Sequence, residues 1–173
     1  MQTPLVMTII SPDRTGVVEA VARAVADHGG NWLESRMCRL GGEFAGILRI
    51  QLPAENKSAL LASLQLLQTQ GLQIVIRDDA PVAAAPGKHT KLEIVGADRP
   101  GIVREITSAL ARAGVNVEEF SSEVSSAPMS GETLFKADAR LKIPVPCDLV
   151  ALRKDLERIA SDLLVDVSFV DVD

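Results

Sequence analysis

Leu5 to Ile10 is a short unbroken apolar run that stops at Ser11-Pro12, the pattern of a buried strand. From Thr15 to His28 the apolar positions shift to helical spacing. Val17, Val18, Val21 and Val25 share one face, and Gly29 ends the helix. Asn31 to Leu40 alternates loosely, Gly41-Gly42 turns the chain, and Glu43 to Leu52 alternates well. Leu48, Ile50 and Leu52 lie on one side there, with Arg49 and Gln51 on the other, so the two runs predict a hairpin. Pro53-Ala54-Glu55 opens a second helix aligned by Leu60, Leu64 and Leu67. Gly71 closes it, and Leu72 to Arg77 predicts a fourth strand.

The same order then returns. His89 to Val95 predicts a strand and Pro100 to Ala113 a helix with Ile102, Ile106 and Leu110 inward. Val115 to Ser125 and Thr133 to Ile143 predict strands, joined by the polar loop Ser126–Gly131. Asp148 caps a helix carrying Leu149, Leu152, Leu156 and Ile159, and Leu164 to Val172 is the closing strand. Between the halves, Asp79 to Gly87 has two prolines and no amphipathic pattern. The division is therefore residues 1–78, a linker at 79–88, and residues 89–173. Each half is β-α-β-β-α-β, an α+β fold whose natural form is a four-stranded antiparallel sheet with two helices on one face. Valines, isoleucines and leucines fall on both sides of the predicted strands, so the uncovered face is also expected to be apolar and to need a partner.

The repeat is written in the residues themselves. Asp13-Arg14-Thr15-Gly16 returns 85 positions later as Asp98-Arg99-Pro100-Gly101, and the same offset aligns Gly29-Gly30-Asn31 with Gly114-Val115-Asn116. Each Asp-Arg-x-Gly turn stands between a strand and a helix. A helix N-terminus presents unpaired N–H donors and about half a positive charge, which suits a carboxylate or phosphate. Gly16 and Gly101 keep that approach open. Asp13 and Asp98 suit an ammonium, Arg14 and Arg99 a carboxylate, and the amides of Asn31 and Asn116 offer both donor and acceptor. That chemistry fits an α-amino acid. The same turn also reads as a plain helix cap, with Asp13 accepting from the first-turn N–H groups and Pro100 in the first helical turn.

Composition narrows the function. The chain has 173 residues, 47% hydrophobic but only 3% aromatic and without Tyr, so two small aliphatic cores are expected. A net charge of −5 and the lack of a long basic run argue against direct nucleic-acid binding, and the aromatics that stack RNA bases are missing. Cys38 and Cys147 form no Cys-x-x-Cys pair and no disulfide framework, which points to a reducing, cytoplasmic setting. No signal peptide pattern or membrane-length apolar run is present. His28 and His89 are isolated, so no metal is expected, and no Gly-rich nucleotide loop is seen. Ser11, Ser35, Ser121 and Ser122 have no partnered His, and Glu118-Glu119, adjacent in a strand, are expected to point to opposite faces. No catalytic set and no cofactor is expected.

The doubled turn with its Gly-x-Asn companion resembles tandem ACT domains, which are ferredoxin-like. Asn31-Trp32-Leu33-Glu34-Ser35-Arg36-Met37, Gly42-Glu43-Phe44-Ala45-Gly46-Ile47-Leu48 and Val165-Asp166-Val167-Ser168-Phe169 look more specifically like the glycine cleavage system transcriptional repressor family. The resemblance implies amino-acid binding, glycine foremost, at domain or subunit interfaces. The residues would be Asp13, Arg14, Thr15 and Gly16 with Asn31, and Asp98, Arg99, Pro100 and Gly101 with Asn116. It also implies control of transcription through protein contact with a LysR-type transcription activator, and a homodimer is expected. Thr15 in place of Pro, and Gly30 in place of a bulkier residue, put the first site in question. Two other readings stand beside it: an interaction module that regulates a metabolic enzyme without a ligand, and an acylphosphatase-like enzyme using Arg14 or Arg99 with Asn31 or Asn116.

Overall fold

Alternation along the first strand decides which side of the sheet the helices cover. In β1 (Gln2–Pro12) of this computed structural model, Leu5, Met7 and Ile9 are fully buried while Thr8 and Ile10 are exposed. The structure describes residues 1–79, 86–126 and 133–171. It divides into two compact units, Met1–Val82 and Ala83–Asp173.

The first unit continues with α1 (Val17–Asp27), β2 (Asn31–Leu40), β3 (Glu43–Pro53), α2 (Lys57–Thr69) and β4 (Gln73–Asp78). Its sheet is antiparallel in the order β2-β3-β1-β4. The second unit contains β5 (Gly87–Ala97), α3 (Ile102–Arg112), β6 (Asn116–Ser126), β7 (Thr133–Pro144), α4 (Leu149–Leu163) and β8 (Val165–Asp171), in the order β6-β7-β5-β8. Each unit is the expected βαββαβ fold. In the first, Leu48, Ile50 and Leu52 of β3 pack with Val21 of α1 and Leu60 and Leu64 of α2. In the second, Phe135, Ala137, Ala139 and Leu141 of β7 pack with Ile106, Leu110 and Leu156.

Some boundaries differ from expectation. The helices predicted from Thr15 and Pro100 begin at Val17 and Ile102. Gly16 and Gly101 precede them with φ of +92° and +100°, a left-handed conformation that cannot belong to the helix. Pro100 therefore lies outside the helix. A short 3₁₀ turn, Ala54–Asn56, leads into α2. β5 starts inside the predicted linker, at Gly87. Residues 80–85 of that linker, and 127–131 of the loop predicted at Ser126–Gly131, lie outside the described residues.

The uncovered faces of the two sheets are unlike each other. In the first unit it carries the expected apolar residues Val6, Ile10, Ile47 and Val75, interspersed with Glu34, Arg36, Arg49 and Arg77. In the second, cross-strand registers place Glu119 beside Arg140, Ser121 beside Asp138 and Glu123 beside Lys136, with Lys91 and Glu93 on β5. This face is charged, contrary to the expectation of apolar residues on both sides. Lys91 bridges Glu93 at 2.8 Å and Asp138 at 2.7 Å, and these carboxylates push its amine up to about 12.

Glycines at positive φ follow α1, α2 and α3 at Gly29, Gly71 and Gly114. The fourth helix lacks one, and Leu164 takes φ +57° with its side chain mostly exposed. An L-residue there costs roughly 1–2 kcal/mol. Leu164→Gly is therefore expected to stabilise the second unit by up to about 1 kcal/mol, read as a higher midpoint in urea unfolding. A lower midpoint would mean that Leu164 contributes packing that outweighs the strain.

Candidate functional site

The two Asp-Arg-x-Gly turns sit at the same end of their sheets, where β1 and β5 finish. The backbone anchors them alike. The N–H of Asp13 donates to Gly42 O and that of Asp98 to Thr133 O, each at 2.9 Å. The first helical bonds, from Ala20 N to Gly16 O and from Glu105 N to Gly101 O, are also 2.9 Å.

The helix ends at these turns lack side-chain caps. Asp13 was expected to cap α1, but its Oδ2 meets the Arg39 Nε at 2.6 Å instead. The comparison within the chain is α4, where Asp148 behaves as expected and accepts from the N–H groups of Val150 and Ala151, both at 3.0 Å. The first turns of α1 and α3 therefore keep N–H donors without a side-chain acceptor, beside the positive end of each helix.

Open cavities lie against both turns. One of about 310 Å³ is lined by Asp13, Arg14, Gly16, Val17, Val18 and Phe44, together with Glu19. The other, about 500 Å³, is lined by Asp98, Arg99, Gly101, Ile102, Val103 and Phe135, together with Arg104. Thr15 and Pro100, both exposed, complete the turns. Phe44 and Phe135 were not singled out from sequence. They lie 91 positions apart, because the second hairpin connection is longer than Gly41-Gly42, so the 85-residue offset does not align them.

Asn31 and Asn116 do not join the turns within their own units. Pro12, just before the first turn, pairs with Glu43, whereas Asn31 pairs with Gln51 at the far end of β3. At about 3.3 Å per residue that is roughly 26 Å. The second unit repeats this, with Ala97 opposite Leu134 and Asn116 opposite Lys142. Gly30 lies at the far end too. A Cβ there would stand 2.7 Å from Val25 Cγ1 and 2.9 Å from Val25 O, so Gly30 is explained by packing on α1.

The remaining candidates have structural roles. His28 Nδ1 is 2.7 Å from Ala24 O at the end of α1, and the buried Ser11 hydroxyl donates to Pro12 O. His89 Nδ1 lies 3.4 Å from Glu118 Oε2. A bulge between Val117 and Glu119 overrides strict alternation, so Glu118 and Glu119 both approach Arg140, at 3.8 and 3.7 Å. Cys38 and Cys147 are free thiols, and Trp32 packs against the first core. Among the described residues no helix is long and apolar enough to cross a membrane, and no cluster of three or more potential metal ligands occurs.

Comparison with known proteins supplies the relationship. Family models described as ACT domain match residues 3–77 and residues 90–137. A crystal structure of an unknown protein from Galdieria sulphuraria is 30% identical, with 100% of both chains covered and a TM-score of 0.86. A crystal structure provisionally named a glycine cleavage system transcriptional repressor is 22% identical, with 99% of both chains covered and a TM-score of 0.70. No match was found among curated proteins.

Proposed function

Because this chain belongs to the ACT domain family, with one such domain in each half, we propose that it is a non-enzymatic regulator that senses a small amino acid. The observation that carries the reading is the uncapped start of α1 and α3. A ligand carboxylate satisfies those N–H donors, and its ammonium is matched by the turn aspartate. The whole-length likeness to the provisionally named glycine cleavage system transcriptional repressor fits glycine as ligand, and a LysR-type transcription activator as partner rests on the resemblance of the Asn31–Met37 and Gly42–Leu48 stretches. The net charge of −5 fits action through a protein rather than on DNA. Asn31 and Asn116 contribute to ligand binding across the contacts of a homodimer, since neither reaches the turn of its own unit.

The test is isothermal titration of the intact protein with each proteinogenic amino acid, followed by affinity capture with and without any amino acid that binds. Heat with a small amino acid, together with capture of a transcription activator, supports the reading. Absence of heat with all of them removes the sensor. Capture of a metabolic enzyme under those conditions supports the second reading, a ligand-free interaction module, which the Arg39–Asp13 pair favours for the first unit.

A further inference from the structure

The two turns share a sequence motif but differ in what already holds their charged groups. In the first unit Asp13 is paired with Arg39 of β2, and Arg14 Nη2 donates to Gln70 O at the end of α2, at 2.8 Å. Among the described residues neither the Asp98 carboxylate nor the Arg99 guanidinium has a partner. The cause is one position. Arg39 stands opposite Phe44 across the β2–β3 hairpin, and Val124 stands opposite Phe135 in the second. Val124 thus replaces Arg39, and no cation reaches Asp98 from β6. The repeat also acts as its own comparison: the turn aspartate of the first unit already holds a cation at 2.6 Å.

We infer that Arg39 is an internal competitor that weakens the first turn as an amino-acid site, and that Val124 leaves the second turn as the one filled first. This rests on the sensor reading above and adds its stoichiometry and its controlling residue. A ligand ammonium at Asp13 has to share that carboxylate with the Arg39 guanidinium or displace it, whereas at Asp98 it displaces only water. The Val103 and Phe135 side chains that line the second cavity are apolar, as is Val124 opposite Phe135, which suits an amino acid with a small uncharged side chain. The Asp13–Arg39 pair is largely exposed, so its competition is worth up to about five-fold in affinity.

The experiment follows the backbone amides of Gly16 and Gly101 by ¹⁵N-labelled NMR while glycine, then the other proteinogenic amino acids, are titrated into the full chain. The expected result is that Gly101 shifts first, with Gly16 responding about five-fold more weakly or not at all. Arg39→Val is expected to bring the two affinities together, and Val124→Arg to weaken the Gly101 response. Both positions are exposed, so dispersed spectra confirm that the variants stay folded. Equal affinities at both amides in the unaltered protein overturn the inference while leaving the sensor reading intact. So does an Arg39→Val protein whose Gly16 response is unchanged. Silence at both amides with every amino acid removes the sensor reading and this inference with it.

Discussion

Leu141→Ala lowers the stability of the second unit by about 2–5 kcal/mol. Leu141 is fully buried in the C-terminal third of β7, within a core built from α3, α4 and the strands of that unit. Truncation loses the transfer energy of the removed carbons and leaves a cavity that the sheet backbone cannot close. A small domain has roughly 5–15 kcal/mol in total, so this is a large fraction. At about 4–8 °C per kcal/mol for a domain of this size, the midpoint falls by roughly 8–40 °C. The two cores share no residue, so calorimetry is expected to show this fall in a transition assigned to the second unit. Val150→Ala is the control. Val150 is 78% exposed, and its loss is expected to change stability by no more than about 0.5 kcal/mol. A Leu141→Ala midpoint within that same range would mean that the core assignment is wrong.

Such a core was readable in advance because Leu48, Ile50 and Leu52, or Phe135, Ala137 and Ala139, alternate with polar neighbours over several residues. That periodicity is what one-sided burial requires. The turns were readable because both Gly16 and Gly101 are needed where the backbone turns left-handed, and the repeat marks them twice. What the turn residues touch was not readable. Asp13 lies near Arg39 only because β2 folds back along β3, and Arg14 reaches Gln70 over a separation of 56 residues. The capping expectation failed because the chain turns at Gly16, three positions after Asp13, before the helix starts; Asp98, with no cation beside it among the described residues, does not cap α3 either. Asn31 looked close to the turn because it begins the next strand, yet a helix intervenes and carries it to the other end of the sheet. The bulge at Glu118 was hidden because nothing local distinguishes it from regular alternation. The charged character of the second sheet's free face was written in Lys136, Asp138 and Arg140. It needed the register to show that these residues share a side with Lys91 and Glu93.

The ligand effect at the second turn is expected to match the core mutation in size. A ligand that binds only the folded state, at a hundredfold excess over Kd, adds about 2.7 kcal/mol. For a domain of this size the midpoint then rises by roughly 10–20 °C. Asp98→Asn and Arg99→Ala are each expected to remove most of that rise. Their midpoints without ligand stay within about 0.5 kcal/mol of the unaltered protein, because both side chains are exposed and partnerless among the described residues. Gly101→Ala is a poorer probe. A Cβ there meets little, its nearest neighbour being Arg104 Nη2 at 3.9 Å, but φ of +100° strains any L-residue. That variant loses roughly 1–2 kcal/mol before any ligand is added, so a smaller shift would not isolate binding. The decisive comparison is thermal unfolding of Asp98→Asn and Arg99→Ala with the amino acid that shifts the unaltered chain. A full rise in both variants would place the ligand elsewhere and return the Asp-Arg-x-Gly turns to a purely architectural role. Loss of the rise with an unchanged ligand-free midpoint can come only from contacts made in the complex, since neither side chain holds the fold together.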